Sequence, residues 1–497
     1  MTDPRPGAVP SPSPDLVEAR TTALESAVGA YDIRGRIPDQ LDEDVLFALG
    51  WATAFAMSEL ESSAEVVVGH DMRPSSPGFA HAFAAGIEAA GYRAVLLGLC
   101  STDQLYFASG IFDLPGAMIT ASHNPADYNG IKICGPRAAG VSLASGLGRI
   151  KELAPQAPTF GRAVDGSHRS APAVDINEVA AADMRRRYVE RIRTLTHVDE
   201  VTGLKVIVDC GNGMAGKLLG EVFGPDSGFA KVPFDVIGLF TELDGTFPNH
   251  EANPLKPENL LDVSQAVLDH GADLGLAFDG DADRCFFIDE TGATMSPSAI
   301  GALVAEREIA RAKTAGVTEP VVIHNLITSR SVPATITAAG GRAVRSKVGH
   351  SGIKTLMRTE HAVFACEHSA HFYFDEFYGA DSGMLAACHL IAALAKTKAP
   401  ASRLVADYDL YAQSGEINFT VADPEAVLTA FSAESGHFPA NTVDDLDGIG
   451  LQGEDWWINL RMSNTEPLVR LNVEASDPQR LRELTAQASD FVEARRQ

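Results

Sequence analysis

The sequence predicts an α/β protein: three related α/β domains with mixed sheets, plus a C-terminal α+β domain, around a central cleft. Three observations carry that prediction. A plan of apolar strand, polar loop and helix opens at Val66-Val67-Val68, again at Val206-Ile207-Val208 and again at Val321-Val322-Ile323; strands alternating with helices favour mixed or parallel sheets. The first and third copies close their helices on nearly the same letters, Ala89-Ala90-Gly91-Tyr92-Arg93-Ala94-Val95 and Ala338-Ala339-Gly340-Gly341-Arg342-Ala343-Val344. Roughly the last hundred residues change pattern, to strand-like runs and a closing amphipathic helix.

Each copy continues with a short apolar strand, a polar loop and a second short strand. In the first copy Met118-Ile119 leads through the Ser122 loop to Ile131–Cys134. In the second, Leu274–Phe278 leads through a triple-aspartate loop to Cys285–Ile288, and in the third Ala362–Ala365 leads through Cys366–His371 to Phe372–Phe374. The most polar loops fall at matching places, as expected of related domains that turn equivalent loops into one cleft. In the last part Ile417–Val421, Trp456–Leu460 and Leu468–Val473 read as strands, and the loop Arg461–Pro467 lies between two of them. The expected boundaries are a disordered segment over 1–28 and domains over 29–175, 176–296, 297–407 and 408–497.

At 497 residues the chain exceeds one domain. Its 40 Lys and Arg against 66 Asp and Glu leave a net charge of −26, which argues against a nucleic-acid or anionic-membrane surface. A small anionic substrate needs only a local basic pocket and is not excluded. The six cysteines are scattered with no C-x-x-C pair, which argues against structural zinc and suits a reducing compartment. The N-terminus is rich in Pro, Ser and Asp and lacks the apolar core of a signal peptide. The longest small-apolar run, Ala386–Ala395, is interrupted by His389 and is too short to span a bilayer. A cytoplasmic protein is expected.

Four loops carry candidate chemistry. Thr120-Ala121-Ser122-His123-Asn124-Pro125 places a serine between two strands, where its hydroxyl needs help to act as a nucleophile. Asp279-Gly280-Asp281-Ala282-Asp283-Arg284 brings three carboxylates together. Held close they repel unless a cation sits among them, and hard oxygen ligands suit Mg²⁺. An EF-hand is a poor fit, because Arg284 stands where that loop needs glycine and the flanks are strands. Glu367-His368-Ser369-Ala370-His371 mixes acceptors with hydroxyl and imidazole donors, as a polyol requires. Arg461-Met462-Ser463-Asn464-Thr465-Glu466-Pro467 offers a forked cation with hydroxyl and amide donors, a set that matches a phosphate dianion. Tyr31-Asp32-Ile33-Arg34-Gly35 and Lys347-Val348-Gly349-His350-Ser351 add an arginine and a histidine. Serine, carboxylate cluster and basic loop together suggest metal-assisted phosphoryl transfer.

One stretch points elsewhere. Gly211-Asn212-Gly213-Met214-Ala215-Gly216-Lys217 satisfies the dinucleotide fingerprint G-x-G-x-x-G, and Asp235 lies about where a ribose-binding acid could be. Its counterparts in the other copies lack the pattern. A tight turn and close helix–strand packing, with the helix opening at Lys217, is therefore the preferred reading over a dinucleotide-dependent oxidoreductase.

In this order and at these separations, T-A-S-H-N-P, D-G-D-A-D-R, C-E-H-S-A-H and R-x-S-N-T-E-P resemble the motifs of the α-D-phosphohexomutases, from about Tyr31 to the C-terminal helix. The E-H-S-A-H form is most similar to the phosphomannomutase/phosphoglucomutase branch; the phosphoglucosamine mutases of the same family are the alternative. The resemblance implies a four-domain enzyme with one deep cleft that excludes water. Mannose or glucose 6-phosphate and 1-phosphate would interconvert through phosphorylated Ser122 and a hexose 1,6-bisphosphate, which also serves as activator. Asp279, Asp281 and Asp283 would hold Mg²⁺ together with the phosphate of Ser122, with Arg284 beside them. Glu367 and Ser369 would bind sugar hydroxyls, and Arg461, Ser463, Asn464 and Thr465 the phosphate that is not transferred. Tyr31, Arg34, His123, Lys132, His350 and His371 match positions lining that cleft, with Lys132, His350 or His371 as general acid or base. The implied partner is a small sugar phosphate, in a monomer or dimer. One departure is visible: several family members carry a lysine in the loop after the first strand of the third domain, where this chain reads His324-Asn325-Leu326-Ile327-Thr328.

Overall fold

The structure, a computed structural model, describes residues 11–61, 65–160, 174–175, 178–434, 436, 438, 440–462 and 468–496. The chain forms two compact units, Met1–Thr294 with Tyr373–Lys398, and Met295–Phe372 with Ala399–Gln497.

In the first unit the strand Glu65–His70 is central to its sheet. It runs parallel to Arg93–Leu99 on one side, Val68 opposite Leu96, and to Gly116–Ile119 on the other, Val68 opposite Ala117. Val66, Val67 and Val68 are buried, the continuous apolar run of a parallel strand covered on both faces. Tyr128–Gly135 and Ile33–Arg36 extend the sheet in antiparallel register. The second sheet repeats this plan: Lys205–Asp209 lies parallel between Asp235–Leu239 and Leu274–Phe278, and Cys285–Asp289 adds antiparallel to the latter.

In the second unit Val321–Asn325 lies parallel between Arg342–Ser346 and Phe364–Cys366, the same plan a third time. The copied letters have a shared cause. Gly91 and Gly340 follow helices Ser76–Ala89 and Ser331–Ala338 at φ +88° and +73°, the left-handed turn that lets a helix end and feed a parallel strand. The fourth sheet is all antiparallel, in the order Ala412–Thr420, Leu468–Ala475, Trp456–Met462, Ile449–Gln452, Thr442–Asp444. Leu484, Ala488 and Val492 of the closing helix Pro478–Glu493 share a core with its Ile458, Leu460, Leu471 and Val473. Three sheets with parallel strands and one antiparallel sheet under a helix are those of three α/β domains and a C-terminal α+β domain, as expected.

Three expectations are corrected. The segment 1–28 is not wholly unstructured: Pro14–Ala27 is a helix, started by Ser13 accepting from the Leu16 amide. It is tied down because Arg20, 1% exposed, donates to both Asp44 carboxylate oxygens at 2.7 and 2.8 Å and to the carbonyls of Ala157 and Pro158. The helix expected from Lys217 opens at Ala215 and, after Leu218, widens into a π turn over Leu219–Phe223. Arg461 lies on the strand Trp456–Met462 rather than on the loop after it. All six cysteines are buried thiols outside any disulfide, consistent with their use as small apolar residues. Among the described residues no helix is long and apolar enough to cross a membrane.

Candidate active site

In the first unit the site is built where the loop after Gly116–Ile119 meets the loop after Leu274–Phe278. Ser122 is 2% exposed and has φ +52°. Its Oγ donates to Asp279 Oδ2 at 2.8 Å and lies 3.3 Å from His123 Nδ1 and 3.5 Å from Arg284 Nη2. Asp279, Asp281 and Asp283 are buried and offer one oxygen each within 4.8 Å of one another. Asp281 Oδ1 is buried with no hydrogen-bond partner among the described residues. Three converging carboxylates and an orphaned buried oxygen fit a hard divalent cation.

Cationic side chains surround the cluster. Arg284 donates through Nε and Nη2 to Asp279 Oδ2 at 2.9 and 2.8 Å and also contacts His123 Nδ1. Lys132, on Tyr128–Gly135, sends its ammonium to Asp281 Oδ2 at 2.7 Å and to Asp283. Burial pulls the Lys132 pKa down, but the Asp281 and Asp283 carboxylates more than offset it, and it stands above the usual lysine range. Asp281 is likewise penalised by burial, yet Lys132 and the bonds from Lys132 and Thr102 hold it below the usual carboxylate range. Arg34 pairs with Asp32 at 2.7 Å and donates to Asn124 Oδ1 at 2.5 Å, and Tyr31 acts on it electrostatically.

Two supports of this site carry no motif of their own. Arg73, 1% exposed, donates to the carbonyls of Ser122, Asn124, Pro125 and Tyr128 at 2.9, 2.6, 2.7 and 2.9 Å. It therefore clamps the serine loop from behind, with its guanidinium over the Phe247 ring. Thr102 donates from Oγ1 to Asp281 Oδ2 at 2.5 Å. The signal for Arg73 was its place in a polar strand-to-helix loop; Thr102 had none.

In the second unit Glu367 is buried, and its Oε1 accepts from Asn325 Nδ2 at 3.1 Å and the Gly349 amide at 3.2 Å. Ser369 and His371 are half-buried on the same tight loop, where the Glu367 amide donates to the His371 carbonyl at 3.0 Å. His350 opens the helix His350–Glu360 just after Gly349. Arg461 is buried and donates to Glu416 Oε2 at 2.6 Å; Arg470 reaches Glu416 Oε1 at 3.3 Å. Ser463, Asn464 and Thr465 lie outside the described residues. At the end of the strand Val321–Asn325, burial pushes the His324 imidazole down to about 4, and Asn325 Nδ2 donates to Glu367 Oε1.

The loops share a backbone signature: Ser122, Ala282 and Ala370 all hold left-handed angles, φ +52°, +62° and +66°. Such angles cost a non-glycine residue roughly 1 kcal/mol or more and concentrate at functional sites. The glycine fingerprint has another explanation. A Cβ on Gly213 would stand 2.7 Å from the Gly280 carbonyl, and one on Gly216 would stand 2.1 Å from that of Thr241. Asp235 pairs with Lys205 at the start of its strand, the opposite end of the sheet from Gly211. Asp235 is therefore not placed beside the glycine loop.

A buried serine oxygen on a carboxylate cluster, with an arginine and a lysine against it, can carry a phosphate beside a hard cation; on this fold that defines the class of phosphoryl-transferring α/β enzymes. The chain matches four family models along its length: Phosphoglucomutase/phosphomannomutase alpha/beta/alpha domain I over 25–151, domain II over 186–292 and domain III over 296–411, and the C-terminal domain over 416–491. It is 38% identical over 453 residues to a phosphomannomutase of Salmonella montevideo, covering 90% of this chain and 94% of the relative. It is 38% identical over 456 residues, at the same coverage, to the phosphohexose mutases of Xanthomonas campestris. A solved phosphoglucomutase/phosphomannomutase family protein of Burkholderia thailandensis superposes with a TM-score of 0.79 at 30% identity, over 95% of this chain and 97% of that one. The chain belongs to the phosphoglucomutase/phosphomannomutase family and is an enzyme of the mutase type.

Proposed function

We propose that this enzyme interconverts hexose 6-phosphate and hexose 1-phosphate, with mannose, glucose or both as the sugar, in the cytoplasm. The observation that carries this reading is the Ser122 hydroxyl 2.8 Å from Asp279 within the three-aspartate cluster. Ser122 is the phosphate carrier: the bond from its Oγ to phosphorus breaks as one forms from phosphorus to O1 or O6 of the sugar. The resulting hexose 1,6-bisphosphate turns round and returns its other phosphate to Ser122. Asp279, Asp281 and Asp283 would hold Mg²⁺, which when bound supplies charge stabilisation to the phosphoryl group in transfer.

Arg284 spans Asp279 and the serine oxygen, and faces the charge that shifts in a loose transition state. Lys132, whose ammonium meets Asp281 and Asp283, places a positive charge beside the cluster; Lys132, His350 or His371 serves as general acid or base. Glu367 meets sugar hydroxyls with Ser369, and its carboxylate is pre-oriented by Asn325 and Gly349. Arg461, with Ser463, Asn464 and Thr465, grips the phosphate that stays in place, while Tyr31, Arg34 and His123 contribute polar contacts. The four domains are those with boundaries near 175, 296 and 407. Turnover of mannose 1-phosphate and glucose 1-phosphate, measured side by side with added bisphosphate, tests the reading. Absence of turnover with both sugars overturns it.

A further inference from the structure

Behind the aspartate cluster, the helix Thr102–Phe112 opens on a residue that neither the motifs nor the family reading uses. Thr102 is fully buried. Its Oγ1 donates to Asp281 Oδ2 at 2.5 Å, and its backbone amide donates to the Asp281 carbonyl at 3.1 Å. Asp281 Oδ2 also receives the Lys132 ammonium, whereas Oδ1 has no hydrogen-bond partner among the described residues. The two oxygens are thereby made unequal: one is committed to the protein and the other is presented.

Thr102 has little freedom to drift. Ser101 and Gln104 on either side of it form a reciprocal cap at the helix start. Asp103 accepts from Ser101 Oγ at 2.5 Å, Tyr188 Oη at 2.7 Å and Ser382 Oγ at 2.7 Å. Gln104 Nε2 donates to Glu221 at 2.5 Å. The first turn of this helix is therefore pinned to three other segments of the same unit.

We propose that Thr102 is a positioning residue for Asp281: its hydroxyl fixes the rotation of the carboxylate so that Oδ1 faces a bound divalent cation. The proposal rests on reading the three aspartates as a cation site. Partners that orient a metal ligand typically set metal affinity by about 10–100-fold, and the loss falls on affinity, since the ligand itself remains.

The test uses the full chain and Mn²⁺ as the probe, with free Mn²⁺ followed by electron paramagnetic resonance and Mg²⁺ binding by calorimetry. Thr102→Val keeps the side-chain shape without the hydroxyl, Thr102→Ala removes it without overpacking, and Thr102→Ser restores it. The Val and Ala variants are expected to bind Mn²⁺ about 10–100-fold more weakly, and the Ser variant like wild type. Tyr188→Phe loosens the same helix start without touching Asp281, and should lower Tm while leaving Mn²⁺ affinity unchanged. The proposal is overturned if Val and Ala bind as tightly as wild type, if Ser falls with them, or if Tyr188→Phe weakens binding equally. Should the Val variant not fold, the Ala variant decides. Wild type that fails to bind Mn²⁺ overturns the cation reading instead, a separate result.

Discussion

At Ser122 a strained backbone and a buried hydroxyl coincide: φ is +52° and Oγ is bonded to Asp279. The sequence placed this serine on a loop with little packing to lose, yet it is buried, so Ser122→Ala should cost stability of about 1 kcal/mol through one lost hydrogen bond. Arg73 holds the loop through backbone carbonyls, which the substitution leaves intact, so the fold should survive while mutase activity is almost wholly lost. A variant that keeps a tenth of the wild-type rate would place the phosphate on another residue. Asp103 yields a pH prediction. Burial raises its pKa to about 6, with the bonds from Ser101, Tyr188 and Ser382 working against that rise. The folded state then favours the protonated form, and the stability this contributes is full below about pH 4 and lost as pH rises through about 6, up to roughly 3 kcal/mol at 1.36 kcal/mol per unit. The Tm of wild type should therefore fall relative to that of Asp103→Asn as pH is raised from 4 to 7. A Tm difference that stays constant over that range would show that Asp103 titrates normally.

At the scale of elements, the aspartate loop should tolerate partial loss: Asp281→Asn leaves two carboxylates, so activity should drop and recover in part with excess Mg²⁺, whereas full activity in EDTA would remove the metal from the account. The glycine loop makes the opposite kind of prediction. Gly216→Ala forces a methyl against the Thr241 carbonyl, and should destabilise by about 1–3 kcal/mol, as overpacking does. NAD should fail to bind wild type in equilibrium dialysis; stoichiometric binding would revive the nucleotide reading. These elements also show what a sequence can disclose. Val66–Val68, Val206–Val208 and Val321–Ile323 were legible as parallel strands because burial on both faces writes an unbroken apolar run. The Ser122 and Asp279–Arg284 loops were legible because so dense a set of polar groups between strands has few structural uses. Arg73 and Thr102 were not, because their partners lie 49 and 179 positions away, and spacing carries no record of such contacts. The helix Pro14–Ala27 was missed because Pro, Ser and Asp dominate the residues before it, while its anchor is a single arginine buried against Asp44.

For the molecule as a whole, the residues proposed for the reaction divide between the two units: Ser122 and the three aspartates fall in the first, Glu367, Ser369 and Arg461 in the second. A mutase of this kind must accept its substrate in two opposite orientations, so no contact can depend on one end of the sugar alone. Glucose and mannose differ only at C2, and Glu367 and Ser369 are assigned to hydroxyls the two share. Both sugars should then turn over with similar efficiency, and Glu367→Gln should impair both alike. The substitution also disturbs the acceptor of Asn325 and Gly349, but that disturbance is blind to the sugar. Arg461 is assigned to the phosphate that does not react, and its bonds form equally in the ground and transition states. Losing such an interaction raises KM more than it lowers kcat. In Arg461→Ala, Glu416, which is exposed, keeps Arg470 as its partner, so the strand should not be left with an unpaired acid. Both parameters should be measured for both sugar phosphates in both variants. If Glu367→Gln spares one sugar, or if Arg461→Ala changes kcat alone, the division between sugar and phosphate recognition is wrong, and Glu416 with its two arginines becomes the first place to look for the missing contact.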